Sequence, residues 1–162
     1  MSGRLVILAC GNPSRGDDAL GPLLLDRVAS LSTSLPGRPA PELITDFQLQ
    51  VEHAADLDGA GLALFVDASV AAPPPFRFSR LQANGEVGYT THALSPASVL
   101  AVFRQVYGRE APPAFLLAVR GERFDLGEPL SAAAVANLEA AVEWMDRLLA
   151  EPCPACWESF CN

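Results

Sequence analysis

Residues 10–22 read CGNPSRGDDALGP and join an apolar run to an amphipathic one. The run before them, RLVILA at residues 4–9, is a short apolar segment typical of a strand buried on both faces. After them, apolar residues recur at helical spacing, at Leu20, Leu23, Leu24, Val28 and Leu31. The stretch therefore predicts a strand, a tight polar turn and a helix that runs to about Ser32. In open parallel sheets such a turn lies at the carboxyl edge, where ligands bind.

The rest of the chain continues this alternation of strand and helix patterns. Further strands are predicted at residues 41–47, 62–66, 76–81 and 113–119, and the period-two pattern of FRFSRL at 76–81 indicates an edge strand. Helices are predicted within residues 48–60, after Ser95-Pro96, and after Ser131, the last with an apolar face of Val135, Leu138, Val142, Met145 and Leu149. We therefore predict an α/β fold, a three-layer α/β/α sandwich. Its mostly parallel central sheet has about five strands, with one antiparallel strand at the edge.

The composition indicates a single cytoplasmic domain. A chain of 162 residues with 50% hydrophobic content can bury one sizeable core. The formal net charge of -8 argues against a nucleic-acid partner. No run approaches the roughly 18 apolar residues of a membrane span, and no signal peptide is recognisable, so no membrane partner is expected. We assign residues 1–150 to the α/β domain and residues 151–162 to a cysteine-containing C-terminal tail.

Acidic residues follow each of the first three predicted strands. Asp17 and Asp18 follow the first, Asp46 ends the second and Asp67 follows the third, while His92 precedes the helix that starts after Ser95-Pro96. Parallel strands would bring these side chains to one sheet edge. Carboxylate and imidazole suit divalent Ni, Zn, Mn or Fe. A cation would also offset the repulsion between crowded acids, so a metal site is predicted there.

Each of these residues also has a structural alternative. Asp17 or Asp18 could cap the following helix, and we assign that role mainly to Asp17. Asp46 and Asp67 could bond to turn backbone. His92 could be a solvated loop histidine.

Other candidates for catalysis are weaker. His53 is interpreted as a surface residue, and Cys10 as a buried cysteine at a strand end rather than a nucleophile. The chain has no GxSxG or HExxH motif. The glycines near Asn12 do not match a phosphate loop, and the adjacent acids would repel a phosphate.

These residues resemble the nickel-iron hydrogenase maturation endopeptidases, which remove a C-terminal extension from the hydrogenase large subunit after nickel insertion. The sequence GNPSRGDDALGP after the first strand is similar to that family's GN(x)4DE(G/A)xG. FVDAS after the third strand and the His92 loop ahead of a helix add to the resemblance. In element order the resemblance covers the chain from Arg4 to about Ala150.

The resemblance implies a set of metal ligands. Asp18, Asp67 and His92 stand at the family's metal-binding positions, where they would act in catalysis through the metal. Asp18 replaces the usual glutamate and is one methylene shorter. Asp46 lies near another acidic position and is a further catalytic candidate, although Phe47 replaces the small residue that often follows it.

The resemblance also implies a mechanism. Gly11, Asn12 and Asp17 would contact the substrate, and the glycines would permit close approach of its protein tail. The metal would be nickel presented by the large-subunit precursor, with a divalent surrogate in the isolated protein. Hydrolysis by a metal-polarised group and hydrolysis by a carboxylate general base stay open.

The leading interpretation is an endopeptidase, nominally of the aspartic type, that recognises nickel in its substrate. The alternative is a nickel-dependent chaperone or checkpoint protein that binds the large-subunit precursor without cleaving it. A small-molecule hydrolase is disfavoured because no pair of nucleophile and base is visible.

The C-terminal tail contains EPCPAC at residues 151–156, which resembles the DPCxxC nickel-ligand motif of the hydrogenase large subunits. One interpretation is a frayed tail with fortuitous cysteines. Another is a thiolate pair, Cys153 and Cys156, that binds nickel or occupies the cleft as a pseudo-substrate. Cys161 could add a third thiolate, but a structural zinc site would need a fourth ligand.

Overall fold

The computed structural model describes residues 3–32, 40–83 and 94–162. These residues form one five-stranded sheet of order β2-β1-β3-β5-β4. The strands are β1 (Arg4–Cys10), β2 (Glu42–Asp46), β3 (Ala60–Ser69), β4 (Phe76–Arg80) and β5 (Ala114–Arg120). All pairings are parallel except that between β4 and β5, which is antiparallel at the edge. The predicted mixed α/β sheet is confirmed.

The described residues also form five α-helices and a 3-10 helix. The 3-10 helix spans Gly16–Ala19, and the α-helices are α1 (Leu20–Ser32), α2 (His53–Asp56), α3 (Pro96–Tyr107), α4 (Ala132–Ala150) and α5 (Pro154–Phe160). Two predicted boundaries have clear physical causes. The Ser95 side chain accepts a hydrogen bond from the amide of Ser98, and Gly108 ends α3 with a φ of 68°. None of the described helices has the length and apolar character needed to cross a membrane.

Two hydrophobic clusters lie on opposite faces of the sheet. Ile7 and Leu64 face α1 and α4 on one side, whereas Leu8 and Phe65 face α2 and α3 on the other. Consecutive residues of β1 and β3 are thus buried on opposite faces, as the unbroken apolar runs predicted. The three-layer arrangement follows directly from this double burial.

The apolar face of α4 differs from the predicted one at one position. Val135 is 48% exposed, whereas Ala134 is fully buried and Leu138 lies in the core. The buried stripe begins at Ala134, one residue before Val135, and a single step turns the helix by about 100°. The assignment of Val135 to the apolar face is therefore wrong.

Residues 151–162 belong to the packed structure. Trp157, in α5, is fully buried in the same cluster as α1 and α4, and its Nε1 donates to the carbonyl of Leu148 at 3.0 Å. The amide of Asn162 donates to the carbonyl of Phe78 at 3.0 Å, and the amide of Phe78 donates to Asn162 Oδ1 at 2.7 Å. The interpretation of a frayed tail is wrong because a buried tryptophan and two hydrogen bonds between Phe78 and Asn162 anchor these residues to the domain.

Candidate active site

A cleft of about 510 Å³ opens at the carboxyl ends of β1 and β3. Its lining includes Cys10, Arg15, Asp18, Phe47, Asp67 and Pro96. Ala9 pairs with Val66 in the sheet register, so the residues that follow these two positions emerge side by side. Of the acids predicted to meet at this edge, Asp18 and Asp67 line this cleft.

The adjacent residues Asp17 and Asp18 point in different directions. Asp18 is half-buried at the cleft, and its Oδ2 accepts a hydrogen bond from the amide of Asn12 at 2.7 Å. Asp17 is fully buried. The short 3-10 helix thus turns one carboxylate toward the cleft and the other into the protein.

Four hydrogen bonds surround the Asp17 carboxylate. The amides of Glu122 and Arg123 donate to Oδ2 at 2.7 and 3.0 Å, and Ser131 donates from its amide to Oδ1 and from its hydroxyl to Oδ2 at 2.8 and 2.7 Å. Burial alone would raise the pKa of Asp17, but these hydrogen bonds outweigh it and hold the pKa below its usual range. Asp17 has no exposed surface with which to contact a substrate, and its role here is structural.

Gly11 is required by contacts within the chain. Its φ is 150°, and a Cβ placed there would lie 1.9 Å from the carbonyl oxygen of Asp18. Gly16 has a φ of 54°, and its added Cβ would lie 2.5 Å from the carbonyl oxygen of Arg123. Gly11 lets the turn fold against its own backbone, and Gly16 lets the turn pack against the loop at Arg123. Close approach by a substrate remains a prediction.

Asp67 is a partly buried acid of the cleft. Its Oδ1 accepts a hydrogen bond from the amide of Ala68 at 2.9 Å. Burial raises the pKa of Asp67 to about 6, the Ala68 amide opposes the shift, and the charge of Asp18 adds to it. Two acids that repel each other in a partly dry cleft form a site that favours a cation.

Cys10 lies at the floor of the same cleft. Burial raises the pKa of its thiol to about 12, and the charges of Asp67, Asp46 and Asp18 add to the shift. A thiol in this environment stays protonated at neutral pH. The interpretation of Cys10 as a buried cysteine is supported.

Asp46 lines a smaller neighbouring hollow of about 210 Å³ together with Gly11 and Phe47. Its Oδ1 accepts from the amide of Phe47 at 2.7 Å, and its Oδ2 lies 3.3 Å from Nε2 of His53. Asp46 is thus beside the cleft rather than in it, and its catalytic role stays a prediction.

His53 is buried, at 5% exposure, so the interpretation of a surface residue is wrong. Its Nδ1 accepts a hydrogen bond from the amide of Gln50 at 2.8 Å, which leaves Nε2 to face Asp46. The sequence offered one signal, the apolar residues Ala54 and Leu57, which are buried on the same short segment.

The predicted third metal ligand, His92, lies outside the described residues. Within residues 3–32, 40–83 and 94–162, no group of three His, Cys, Asp or Glu side chains is arranged to hold a metal ion. Leu94 lines the cleft, and its amide donates to the carbonyl of Leu49 at 3.4 Å. The structure therefore brings together two carboxylates of the predicted set.

Asn12 stabilises the turn between β1 and the 3-10 helix. Its Oδ1 accepts from the amide of Ser14 at 2.9 Å, while its amide donates to Asp18. Such a side-chain turn is typical of asparagine. A substrate contact by Asn12 stays a prediction.

The cysteines of α5 do not line the cleft. Trp157 anchors α5 on the face of the sheet that packs against α1 and α4, whereas Leu8 and Phe65 line the cleft from the opposite face. In this conformation the pseudo-substrate interpretation of Cys153 and Cys156 is wrong.

No protein-family model matches the chain, and no curated protein sequence matches it. Solved structures do match. The crystal structure of the [NiFe] hydrogenase maturation protease HycI from Thermococcus kodakarensis KOD1 has a TM-score of 0.66 at 24% identity, over 93% of this chain and 94% of that one. The hydrogenase maturating endopeptidase HybD from E. coli has a TM-score of 0.67 at 25% identity, over 92% of this chain and 93% of that one. The fold of this chain is that of hydrogenase maturation endopeptidases.

A third match is the hydrogenase 2 maturation peptidase from a Thaumarchaeota archaeon, with a TM-score of 0.61 at 23% identity, over 91% of this chain and 98% of that one. The resemblance to hydrogenase maturation endopeptidases predicted from residues 11–22 is thus confirmed at the level of the whole fold.

Proposed function

We propose that this protein is an endopeptidase that removes the C-terminal extension of a nickel-iron hydrogenase large-subunit precursor after nickel insertion. The observation that carries the proposal is the joint placement of Asp18 and Asp67 on one open cleft. The likeness to hydrogenase maturation endopeptidases over more than nine-tenths of the chain supports it.

The two carboxylates suit recognition of a metal that the substrate already holds. Both lie at the cleft, where burial and the charge of Asp18 raise the pKa of Asp67. Nickel on the precursor would supply a positive charge, and carboxylate oxygen is an acceptable ligand for it. His92 would be the third ligand in this proposal.

In this proposal the cleft accepts an extended peptide segment. It is open at the sheet edge, and its volume of about 510 Å³ falls within the range of ligand sites. Phe47 is 66% exposed at its border, and the exposed Arg15 forms part of its lining. Phe47 and Arg15, beside the two acids of the cleft, offer separate contacts to an extended protein segment.

Asp67 is also a candidate for a general base. A base works best when its pKa lies near the operating pH, and a pKa of about 6 leaves Asp67 ionised in most molecules at pH 7. In this route Asp67 would take a proton from the attacking water instead of binding the metal, which Asp18, held by the Asn12 amide, and His92 would contact. Hydrolysis by a metal-polarised water is the other route within the same proposal.

Incubation of the protein with nickel-loaded large-subunit precursor tests the proposal directly. We expect mass spectrometry to show a shortened large subunit, and no shortening with nickel-free precursor. Asp18→Asn should abolish cleavage while the protein stays folded, because its carboxylate makes one hydrogen bond and is half-exposed. Asp125→Asn is the matched control, since Asp125 is an exposed acid outside the cleft.

The outcomes separate the candidate functions. Binding of the nickel-loaded precursor without any change in mass would instead support the non-cleaving chaperone. Cleavage at an unchanged rate by Asp18→Asn would contradict the assignment of the site.

A further inference from the structure

We propose that Cys153 and Cys156 form a thiol–disulfide exchange site, which takes low-molecular-weight disulfides as substrates and closes to an intrachain Cys153–Cys156 disulfide. This site is separate from the cleft and independent of the proposed peptidase function. The argument rests on the geometry of the two sulfurs and on the way α5 holds them.

The two sulfurs are already close to bonding distance. Cys153 Sγ and Cys156 Sγ lie 2.6 Å apart, and Cys153 Sγ also accepts from the amide of Cys156 at 3.1 Å. A disulfide joins sulfurs about 2.05 Å apart, so closure requires a small side-chain movement. Both side chains are half-buried and therefore reachable by a small disulfide.

The fold, rather than the local sequence alone, holds this geometry. Cys153 is the N-cap of α5, and the amide of Trp157 donates to its carbonyl at 3.0 Å. Trp157 is fully buried, and its Nε1 is bonded to the carbonyl of Leu148. The helix that carries Cys156 is thus fixed against the end of α4.

The two thiols are not equivalent. Hydrogen bonds to the Cys156 side chain and to the Cys156 amide lower the pKa of Cys153. The hydrogen bond between the two side chains and burial raise the pKa of Cys156. The thiolate is the attacking form in exchange reactions. Cys153 is therefore the attacking sulfur and Cys156 the resolving one.

Cys161 stands apart from the pair. Its Sγ lies 3.6 Å from the carbonyl oxygen of Trp157. In the described part of the chain no third ligating side chain joins the two thiols to form a metal site. The pair consequently lacks the four ligands of a closed zinc site.

A small disulfide, written RSSR, is the oxidant in this exchange. The Cys153 thiolate attacks one sulfur of RSSR, a mixed disulfide Cys153–S–S–R forms, and RS⁻ leaves and takes a proton from solvent. Cys156 then loses its proton and attacks Cys153 Sγ, which expels the second RS⁻. The two protein thiols are oxidised to one disulfide, and RSSR is reduced to two RSH.

The test uses the full chain carrying Cys161→Ser, treated with oxidised glutathione at pH 7. Trypsin cleaves after Arg147, so residues 148–162 form one peptide that contains both cysteines. We expect this peptide to become two hydrogen atoms lighter. Adding Cys156→Ser should instead trap the glutathione adduct at Cys153, and adding Cys153→Ser should slow the reaction by about tenfold.

A comparison with unfolded protein shows whether the fold creates the site. In concentrated urea we expect disulfide closure to slow by about tenfold or more. A stable glutathione adduct in the protein that has both cysteines would overturn the proposal, as would equal closure rates in the native and urea-unfolded protein. Because no precursor is used, failure here leaves the peptidase proposal unaffected.

Discussion

The carboxylate of Asp17 accepts two hydrogen bonds from Ser131, one from the amide at 2.8 Å and one from the hydroxyl at 2.7 Å. The same hydroxyl accepts from the amide of Ala134 at 3.2 Å and so caps α4. One serine thus connects the start of α4 to the turn after β1. This connection fixes the 3-10 helix from which Asp18 faces the cleft.

Asp17→Asn should destabilise the protein by about 3 kcal/mol at pH 7. The NH2 group of asparagine is a hydrogen-bond donor, and it would face the buried donors that now bind the carboxylate. The pKa of Asp17 is lowered in the folded state, so its stabilisation is present above the unfolded pKa of about 3.9 and is lost as the pH falls through the folded value. Urea unfolding of both proteins between pH 7 and pH 3 should therefore show a difference that shrinks in acid. Asp125→Asn, at an exposed position, should change the free energy of unfolding by less than about 0.5 kcal/mol.

Asp67→Asn should have the opposite effect in the metal-free protein. The folded pKa of Asp67 is raised to about 6, so its ionisation opposes folding, and stability is lost as the pH rises through that value. We expect the variant to be more stable than the parent by about 1–2 kcal/mol at pH 8, with the difference falling toward zero near pH 4. Thermal unfolding of both proteins between pH 4 and pH 8 measures this difference in stability. A variant that is less stable than the parent at pH 8 would show that Asp67 is not a strained anion.

Gly11→Ala should destabilise the protein by about 3 kcal/mol or more, since the new Cβ would overlap the carbonyl oxygen of Asp18. Gly127 is the matched control. It also has a positive φ, 84°, but a Cβ there meets nothing within 4 Å. Gly127→Ala should lower the free energy of unfolding by about 1 kcal/mol, because only the unfavourable backbone conformation of the new side chain contributes. If chemical denaturation shows equal losses of stability for the two variants, the overlap at Gly11 is relieved without a cost in free energy.

Trp157→Ala should lower the free energy of unfolding by about 3–5 kcal/mol because it empties a fully buried position. Glu158→Ala, one residue further, removes an exposed side chain whose ion pair with Arg80 is 3.3 Å long, and should cost less than about 0.5 kcal/mol. Differential scanning calorimetry of both variants measures the contrast. A small effect of Trp157→Ala would mean that residues 151–162 do not stabilise the domain.

Local patterns in the sequence determined the order and type of the elements. The apolar run of β1, the cap at Ser95 and the alternating residues of β4 each act over a few positions, so their structural effect can be predicted without the fold. The placement of Asp18 and Asp67 at one edge followed from parallel pairing, which the chain order of strands and helices implied.

Only the tertiary structure decided which groups are buried and what they contact. The donors to Asp17 lie more than a hundred residues away in sequence. The buried His53 faces Asp46 at the end of β2, and α5 docks through Trp157 against the end of α4. These contacts join different elements of the fold. Their energies arise from packing and desolvation, which no short stretch of sequence contains.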